Sequence, residues 1–176
     1  MNDDLILVDE IQRKAFLGGE FMLWLWYRCD RDEGLFTVGE DTVEVRFDDQ
    51  LILEVQLAES EQSRLKGGAP AHSPEAYKAL QHGKRISVAK VCLAKGEREW
   101  VFTVDALTFA MRGMKVPAVL GQDDEARFEE RMYLLEELDG MWSALYRQFL
   151  DLRLGSGWAG ERGAMRSWIA AAGVPA

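Results

Sequence analysis

Histidine, cysteine and proline are scarce in this chain of 176 residues, which contains two His, two Cys and four Pro. A zinc site draws several Cys, His or acidic ligands together, and the scattered Cys29, Cys92, His72 and His82 lack the usual ligand spacing. Both cysteines lie in apolar runs, so we expect them to be buried and reduced. The sequence therefore predicts no metal and no other cofactor.

Motifs of the common nucleotide-binding and hydrolytic enzymes are also missing. The chain has no Walker loop, no GxGxxG after a strand, no GxSxG, no HExxH and no zinc-deaminase pattern. The acidic pairs Glu129-Glu130 and Glu136-Glu137 lack the Glu-x-x-His partners of carboxylate metal sites, so a solvated helix face is expected there. These absences predict that the protein is not an enzyme.

Long hydrophobic runs are absent too. The longest aromatic and aliphatic run, Phe21–Tyr27, is too short to span a bilayer, and the acidic first residues do not form a signal peptide. A cytoplasmic location is therefore expected. The run favours a helix that begins near Gly19 and is buried on most sides, with a fully buried strand as the alternative. Trp24 and Trp26 would pack in the core or, alternatively, form an interface with a partner.

Charge is unevenly distributed along the chain, whose net charge is −9. Residues 1–60 carry −10, residues 61–120 carry +5 and residues 121–176 carry −4. The three segments are predicted to form an N-terminal helix with a β-hairpin, a basic helix with a β-meander, and C-terminal helices, all within one compact domain. Such a chain can present one basic surface while the remainder repels polyanions.

The middle of the chain is predicted to form an antiparallel sheet. Alternating apolar residues indicate strands, and Ser73-Pro74-Glu75 is a helix start signal. Residues 59–73 are expected to form a loop, and Leu5–Val8 fits either a strand or a helix. The predicted elements are the strands Leu35–Val38, Thr42–Phe47, Leu51–Leu57 and Leu107–Met111, a turn at Asp48–Gln50, the helix Pro74–His82 and the hairpin 82–104.

A long amphipathic helix is predicted after Asp123. Its apolar residues recur every three or four positions, which places them on one stripe. Such a helix can cover a sheet or pair with its copy in a dimer, and a shorter helix, 161–172, follows it. The stripe comprises Phe128, Met132, Leu135, Leu138, Trp142, Leu145, Phe149 and Leu152. The predicted fold class is α+β, with an antiparallel meander packed against a buried N-terminal helix and this long helix.

The basic hairpin at 82–104 is the remaining candidate site. Its cations and those of the following strand could contact the phosphates of duplex DNA without sequence preference. Strand alternation separates Lys90 from Arg85 and Lys95, so the cations do not all share one face. A solvated sheet edge protected from aggregation by lysine explains the same pattern without a ligand. The predicted DNA-binding residues are Lys84, Arg85, Lys90, Lys95, Arg98, Arg112 and Lys115.

Several segments around this hairpin resemble the C-terminal part of the bacterial recombination-associated protein RdgC family. The resemblance spans roughly residues 15–153. It is carried by the order of elements and by a Gly-Lys…Lys-apolar-x-Leu pattern. The matching pieces are FLGGEFMLWLWY at 16–27, Gly83-Lys84, Ile86, Lys90–Leu93, Trp100–Val104 and Phe128–Met132 with its helix.

The resemblance implies a homodimer that binds duplex DNA without sequence preference, associates with the nucleoid and restrains the RecA recombinase. On this basis Lys84 and Lys90 match basic positions of the family, whereas Arg85, Lys95 and Arg98 are added from charge alone. The family carries a substantial N-terminal part that helps to close a ring around DNA, and the resemblance does not extend to it.

Two other classes of function remain open. The acidic flanks could contact a basic partner or mimic DNA, as in a short phage-borne relative that does not bind DNA itself. Alternatively, the chain is a structural domain whose interface is the Trp-rich segment.

Overall fold

A computed structural model of the chain describes residues 3–54 and 62–171, with side chains from Leu17 onward. The fold is α+β, as predicted. The helices are α1 (Asp3–Arg31), α2 (Pro74–Gln81), α3 (Asp124–Leu154) and α4 (Trp158–Ala171), with a 3-10 turn at Pro70–His72. The strands are β1 (Leu35–Val38), β2 (Asp41–Glu54), β3 (Gln62–Lys66), β4 (Arg85–Lys95), β5 (Arg98–Asp105) and β6 (Met111–Lys115).

The strands form one antiparallel sheet in the order β1-β2-β4-β5-β6. The long strand β2 also pairs with β3 through its second half. One face of the sheet, the helical face, carries buried apolar side chains that join the core with the helices. The opposite face, called the open face here, carries Arg46, Lys90, Val101 and Thr103, which are partly or fully exposed.

Helix α1 forms the centre of the core. All seven residues of Phe21–Tyr27 are buried, which confirms the prediction of a helix covered on most sides. Trp24 and Trp26 are among them, so neither is exposed for the interface role suggested as an alternative. The Trp26 indole donates a hydrogen bond to the Ala71 carbonyl (3.1 Å), which satisfies its buried N–H.

The predicted start of α1 was wrong. The helix begins at Asp3, includes the undecided segment 5–8 and continues through Gly18. A Cβ at Gly18 would lie 1.7 Å from the Ala106 carbonyl oxygen, so this glycine permits close approach between the helix and the chain after β5. Gly18 therefore reflects packing and does not mark a helix boundary.

The predicted turn at Asp48–Gln50 was also wrong. Strand β2 runs through it, and its pairing with β4 shifts register between Phe47 and Leu51. The acidic residues form an irregularity in a continuous strand because β4 pairs with β2 on both sides of them. This places Asp48 and Asp49 beside Lys90.

Two further boundaries differ from the predictions. Strand β3 lies within the predicted loop 59–73, and part of the predicted strand Leu51–Leu57 lies outside the described residues. The last strand occupies Met111–Lys115 instead of Leu107–Met111. The Asp105 side chain accepts hydrogen bonds from the backbone N–H groups of Leu107 (3.0 Å) and Thr108 (2.9 Å), which favours a turn there.

The remaining predicted elements agree with the structure. Helix α2 begins at Pro74, where Ser73 caps it by accepting from the Ala76 N–H (3.2 Å). Strands β4 and β5 form the hairpin. Helix α3 is capped by Asp123, which accepts from the Ala126 N–H (2.8 Å). The signals for these elements lie among residues that are close in sequence, which explains why the sequence was sufficient to predict the elements.

Candidate functional site

The basic residues of the hairpin are divided between the two faces of the sheet. Lys90 pairs with Thr103 in the strand register and lies on the open face. Lys95 and Arg98 face each other at the hairpin end and contact α3. The separation predicted from strand alternation therefore holds, and the hairpin does not form a single basic surface.

Lys90 is held by two carboxylates. Its Nζ lies 3.0 Å from Asp48 Oδ2 and 2.9 Å from Asp49 Oδ1. Hydrogen bonding to Asp49 and then Asp48 raises the pKa of Lys90, and the Lys90 hydrogen bond lowers the pKa of Asp49. The strand irregularity that supplies both acids thus neutralises the central cation of the predicted DNA surface.

Lys95 and Arg98 converge on Glu137 of α3. Lys95 Nζ lies 3.1 Å from Glu137 Oε1 and 2.7 Å from Asp41 Oδ2. The Arg98 guanidinium donates to both Glu137 oxygens, at 2.6 and 2.8 Å, and also lies over the Trp100 ring. Such bidentate, charge-assisted bonds are among the stronger polar contacts in proteins. These two cations therefore fasten α3 to the hairpin.

Lys84 and Arg85 are partly buried at the start of β4. The Lys84 ammonium donates to Ser63 Oγ (3.0 Å). The Arg85 guanidinium donates to the Lys84 carbonyl (2.8 Å) and faces a cleft formed by α1 and α4. Neither side chain extends freely from the surface as a flexible phosphate contact would.

Arg112 and Lys115 differ from the other five predicted residues. Both are exposed on β6, and within the described ranges neither has a carboxylate within 4.0 Å. Their strand partners, Thr103 and Val101, place them on the open face near Lys90. The structure thus leaves a two-residue cationic site at the edge of the sheet.

A larger surface, which the sequence did not reveal, lies between α3 and the segment after β6. This α3 cleft has a volume of about 920 Å³. It is lined by Met114, Val116, Pro117, Ala118, Val119, Arg127, Arg131 and Leu135.

Exposed apolar side chains lie next in sequence to lining residues of the α3 cleft, although they do not line it themselves. Phe128 is 64% exposed, Met132 43% and Leu120 79%. In contrast, Leu138 and Phe149 of the same predicted stripe are buried in the core. The stripe is therefore divided: its C-terminal part is buried against α1, α4 and the sheet, and its N-terminal part remains accessible.

The rim of the α3 cleft is fixed by hydrogen bonds. Glu130 Oε2 accepts from the backbone N–H groups of Leu120 (2.8 Å) and Gly121 (3.0 Å), which holds the preceding loop against α3. Arg127 Nε donates to the Gly121 carbonyl (2.9 Å), and Arg127 Nη1 lies 3.9 Å from Asp124 Oδ1. Arg131 has no carboxylate within 4.0 Å in the described part of the chain.

Residues 17–54 and 62–171 contain no cluster of three or more His, Cys, Asp or Glu side chains that could hold a metal ion. Burial raises the pKa of Cys29 to about 12 and that of Cys92 to about 11. Both thiols stay protonated near neutral pH and are poor nucleophiles there.

No protein-family model matches the chain, and no curated protein matches it. In the described ranges, no helix combines the length and apolar character needed to cross a membrane. The RdgC resemblance, and the homodimer and RecA association that it implies, therefore stay predictions.

Proposed function

We propose that this protein is an interaction module whose α3 cleft binds an apolar, carboxylate-bearing segment of another protein. The observation that carries the proposal is the exposed apolar half of the α3 stripe beside this cleft. Soluble monomers rarely leave large contiguous apolar patches exposed, and such patches often mark interaction sites. The well-capped, continuous α3 provides a rigid platform for such contacts.

The apolar side chains supply the binding free energy. Fully burying an exposed Phe or Met side chain is worth about 1.5–3 kcal/mol, and Phe128 and Met132, which are 64% and 43% exposed, would gain a corresponding part of it on binding. An amphipathic helix laid in a groove uses anchors at three- and four-residue spacing, which is how Phe128, Met132 and Leu135 are themselves spaced. A short partner segment with two or three apolar anchors would therefore fit this surface.

The positive charge of the cleft indicates that the partner segment is acidic. Arg127 and Arg131 line it, and Arg131 has no acidic partner within the described chain. An arginine fork binds a carboxylate through two charge-assisted hydrogen bonds. A basic partner has less support, because Asp41, Asp48 and Asp49 already pair with lysines of the hairpin.

Synthetic peptides can test this proposal by fluorescence anisotropy. The probe is a labelled helical peptide with Phe and Leu anchors flanked by Asp, compared with copies in which Lys replaces Asp or Ser replaces the anchors. We expect the acidic apolar peptide to bind in the micromolar range and both copies to bind at least ten times more weakly. The Arg131→Gln and Phe128→Ser variants should each weaken binding about tenfold.

Arg147→Gln provides the matched control. Arg147 is also exposed on α3 but does not line the cleft. Its replacement by Gln changes the net charge by the same amount as Arg131→Gln does. Equal effects of Arg131→Gln and Arg147→Gln, or tighter binding of the lysine copy, would contradict the proposal.

Duplex-DNA binding is the second candidate. It is favoured by the RdgC resemblance and by the exposed cations Arg112 and Lys115 on β6, which have no carboxylate within 4.0 Å among the described residues. Two phosphate contacts predict that log K falls against log salt with a slope of roughly −2. Replacing both residues by Gln should remove the salt-dependent binding, whereas Lys90→Gln should change it little because Lys90 is engaged by Asp48 and Asp49. Salt-independent binding, or none at low salt, would eliminate this candidate.

A further inference from the structure

A second cleft lies at the junction of α1, β4 and α4 and is called the arginine cleft here. Its volume is about 240 Å³. Three of its lining residues are arginines, one from β4 and two from α4, and the other lining residues are mainly apolar. The lining residues are Glu20, Leu23, Arg85, Trp158, Arg162, Met165, Arg166 and Ile169.

The one acidic side chain in the arginine cleft is already neutralised. Glu20 Oε2 accepts from Arg153 Nε at 2.7 Å. Arg153 also lies over the Trp158 ring, 5.0 Å from its centroid, which orients this ion pair along the wall of the cleft. Glu161, the nearest acid on α4, accepts a hydrogen bond from the Trp24 indole (3.1 Å). The charge of Glu20 also raises the pKa of Arg85, but this one carboxylate is shared with Arg153 and cannot balance all three remaining guanidinium groups.

Those three arginines lack acidic partners. Within the described residues, Arg85, Arg162 and Arg166 have no carboxylate within 4.0 Å. Arg162 and Arg166 stand four positions apart on α4, where like charges destabilise a helix. Arg85 is half-buried, and desolvation lowers its pKa. A bound anion would relieve both the repulsion and the cost of burying the Arg85 charge.

We propose that the arginine cleft binds a small organic phosphate. The phosphate would be held by Arg85, Arg162 and Arg166, and its organic group would pack on the apolar wall formed by Trp158, Leu23 and Met165. Three converging guanidinium groups suit a dianion with three terminal oxygens better than a single carboxylate. The size of the cleft suits a ligand with one ring and does not suit a duplex.

The walls of the cleft are well fixed. Trp158 and Met165 are buried in the core, and Gln81 of α2 donates a hydrogen bond to the Ile169 carbonyl (3.0 Å), which ties α4 to the body of the protein. Arg85 is fixed by its strand and by its bond to the Lys84 carbonyl. A preorganised site of this kind loses little conformational entropy on binding.

Isothermal titration calorimetry and NMR can test this assignment. The probes are phenyl phosphate, inorganic phosphate, benzoate and phenol, titrated into the full chain. We expect phenyl phosphate to bind with a dissociation constant below 1 mM, inorganic phosphate and benzoate at least five times more weakly, and phenol undetectably. Phenyl phosphate should shift the indole N–H resonance of Trp158, assigned with Trp158→Phe, more than that of Trp100, which is buried elsewhere.

Arg162→Gln and Arg166→Gln should each weaken phenyl phosphate binding about tenfold, and high salt should weaken it further. Both residues are exposed, so both variants should fold, and Arg147→Gln serves as the charge-matched control. The inference is wrong if 10 mM phenyl phosphate shifts no indole resonance, or if Arg162→Gln and Arg147→Gln bind it equally. It is also wrong if benzoate binds more tightly than phenyl phosphate. A loss of duplex-DNA binding in Arg162→Gln and Arg166→Gln, with phenyl phosphate binding unchanged, would contradict it as well.

Discussion

Glu137 is the residue through which α3 is fastened to the basic hairpin, and Glu137→Gln tests this role. The carboxylate is only 10% exposed and accepts from Arg98 twice and from Lys95 once. An amide retains one weaker acceptor and brings its own N–H donors towards two cations. Breaking a buried ion pair costs about 3–5 kcal/mol, whereas exposed pairs are worth about 1 kcal/mol or less.

The exposure of Arg98 and Lys95 decides whether the cost of Glu137→Gln lies nearer the value for a buried or for an exposed ion pair. Arg98 keeps 40% of its side chain exposed and Lys95 24%, and Lys95 also retains Asp41. We therefore expect Glu137→Gln to lower the free energy of unfolding by about 2 kcal/mol. With a typical urea m-value near 2 kcal/mol/M, the unfolding midpoint should fall by about 1 M.

Urea unfolding followed by tryptophan fluorescence measures this change. Glu136→Gln is the control because Glu136 is the adjacent, exposed carboxylate, with no ion pair among the described residues. Its substitution should alter stability by less than about 0.5 kcal/mol. Equal midpoints for the two variants would refute the idea that Glu137 joins α3 to the hairpin. Glu137→Gln should also strengthen any DNA binding that depends on Lys95 and Arg98.

Further predictions concern packing and titration. Gly18→Ala should destabilise the fold by about 1–3 kcal/mol, as measured by thermal unfolding, because its Cβ would overlap the Ala106 carbonyl. Gly140→Ala should instead stabilise by up to about 1 kcal/mol, since its Cβ meets open space in α3, and a loss of stability there would contradict this account. Burial raises the pKa of Cys29 from 9.0 to about 12, so the folded state retains a proton that the unfolded state releases. Stability should therefore fall as the pH rises above 9, by roughly 1.4 kcal/mol at pH 10 from this thiol, and Cys29→Ser should remove that part of the slope.

The sequence was most informative where the signal was local. The helix start at Ser73, the long helix after Asp123 and the hairpin at 82–104 each depend on residues that are close in sequence, and the structure contains all three elements. The failures concern longer-range effects. In the sequence Gly18 resembles a helix boundary, whereas a glycine is needed there because a Cβ would overlap the carbonyl oxygen of Ala106. Ala106 is distant in sequence, so no local signal shows this contact.

The candidate sites show the same division. The sequence correctly separated Lys90 from Lys95, because alternation along a strand is a local rule. It could not show that Asp48, Asp49 and Glu137 neutralise these cations, because those contacts depend on strand register and on helix packing. The arginine cleft brings Arg85 together with Arg162 and Arg166, which are distant from it in sequence, and nothing in their spacing predicts this arrangement.

The sequence alone thus determined the α+β class, the buried central helix and the long amphipathic helix, because composition and periodicity record which faces must leave water. Tertiary structure decided which part of each pattern remained accessible. Helices α1 and α4 and the sheet together cover the C-terminal part of the α3 stripe, whereas Phe128 and Met132 stay exposed. Likewise, carboxylates from other parts of the chain pair with the central cations of the hairpin, whereas Arg85, Arg162 and Arg166 line one cleft with no ion pair to a described carboxylate within 4.0 Å. Amphipathicity and charge are properties of the sequence, but exposure and pairing depend on which residues the fold brings together.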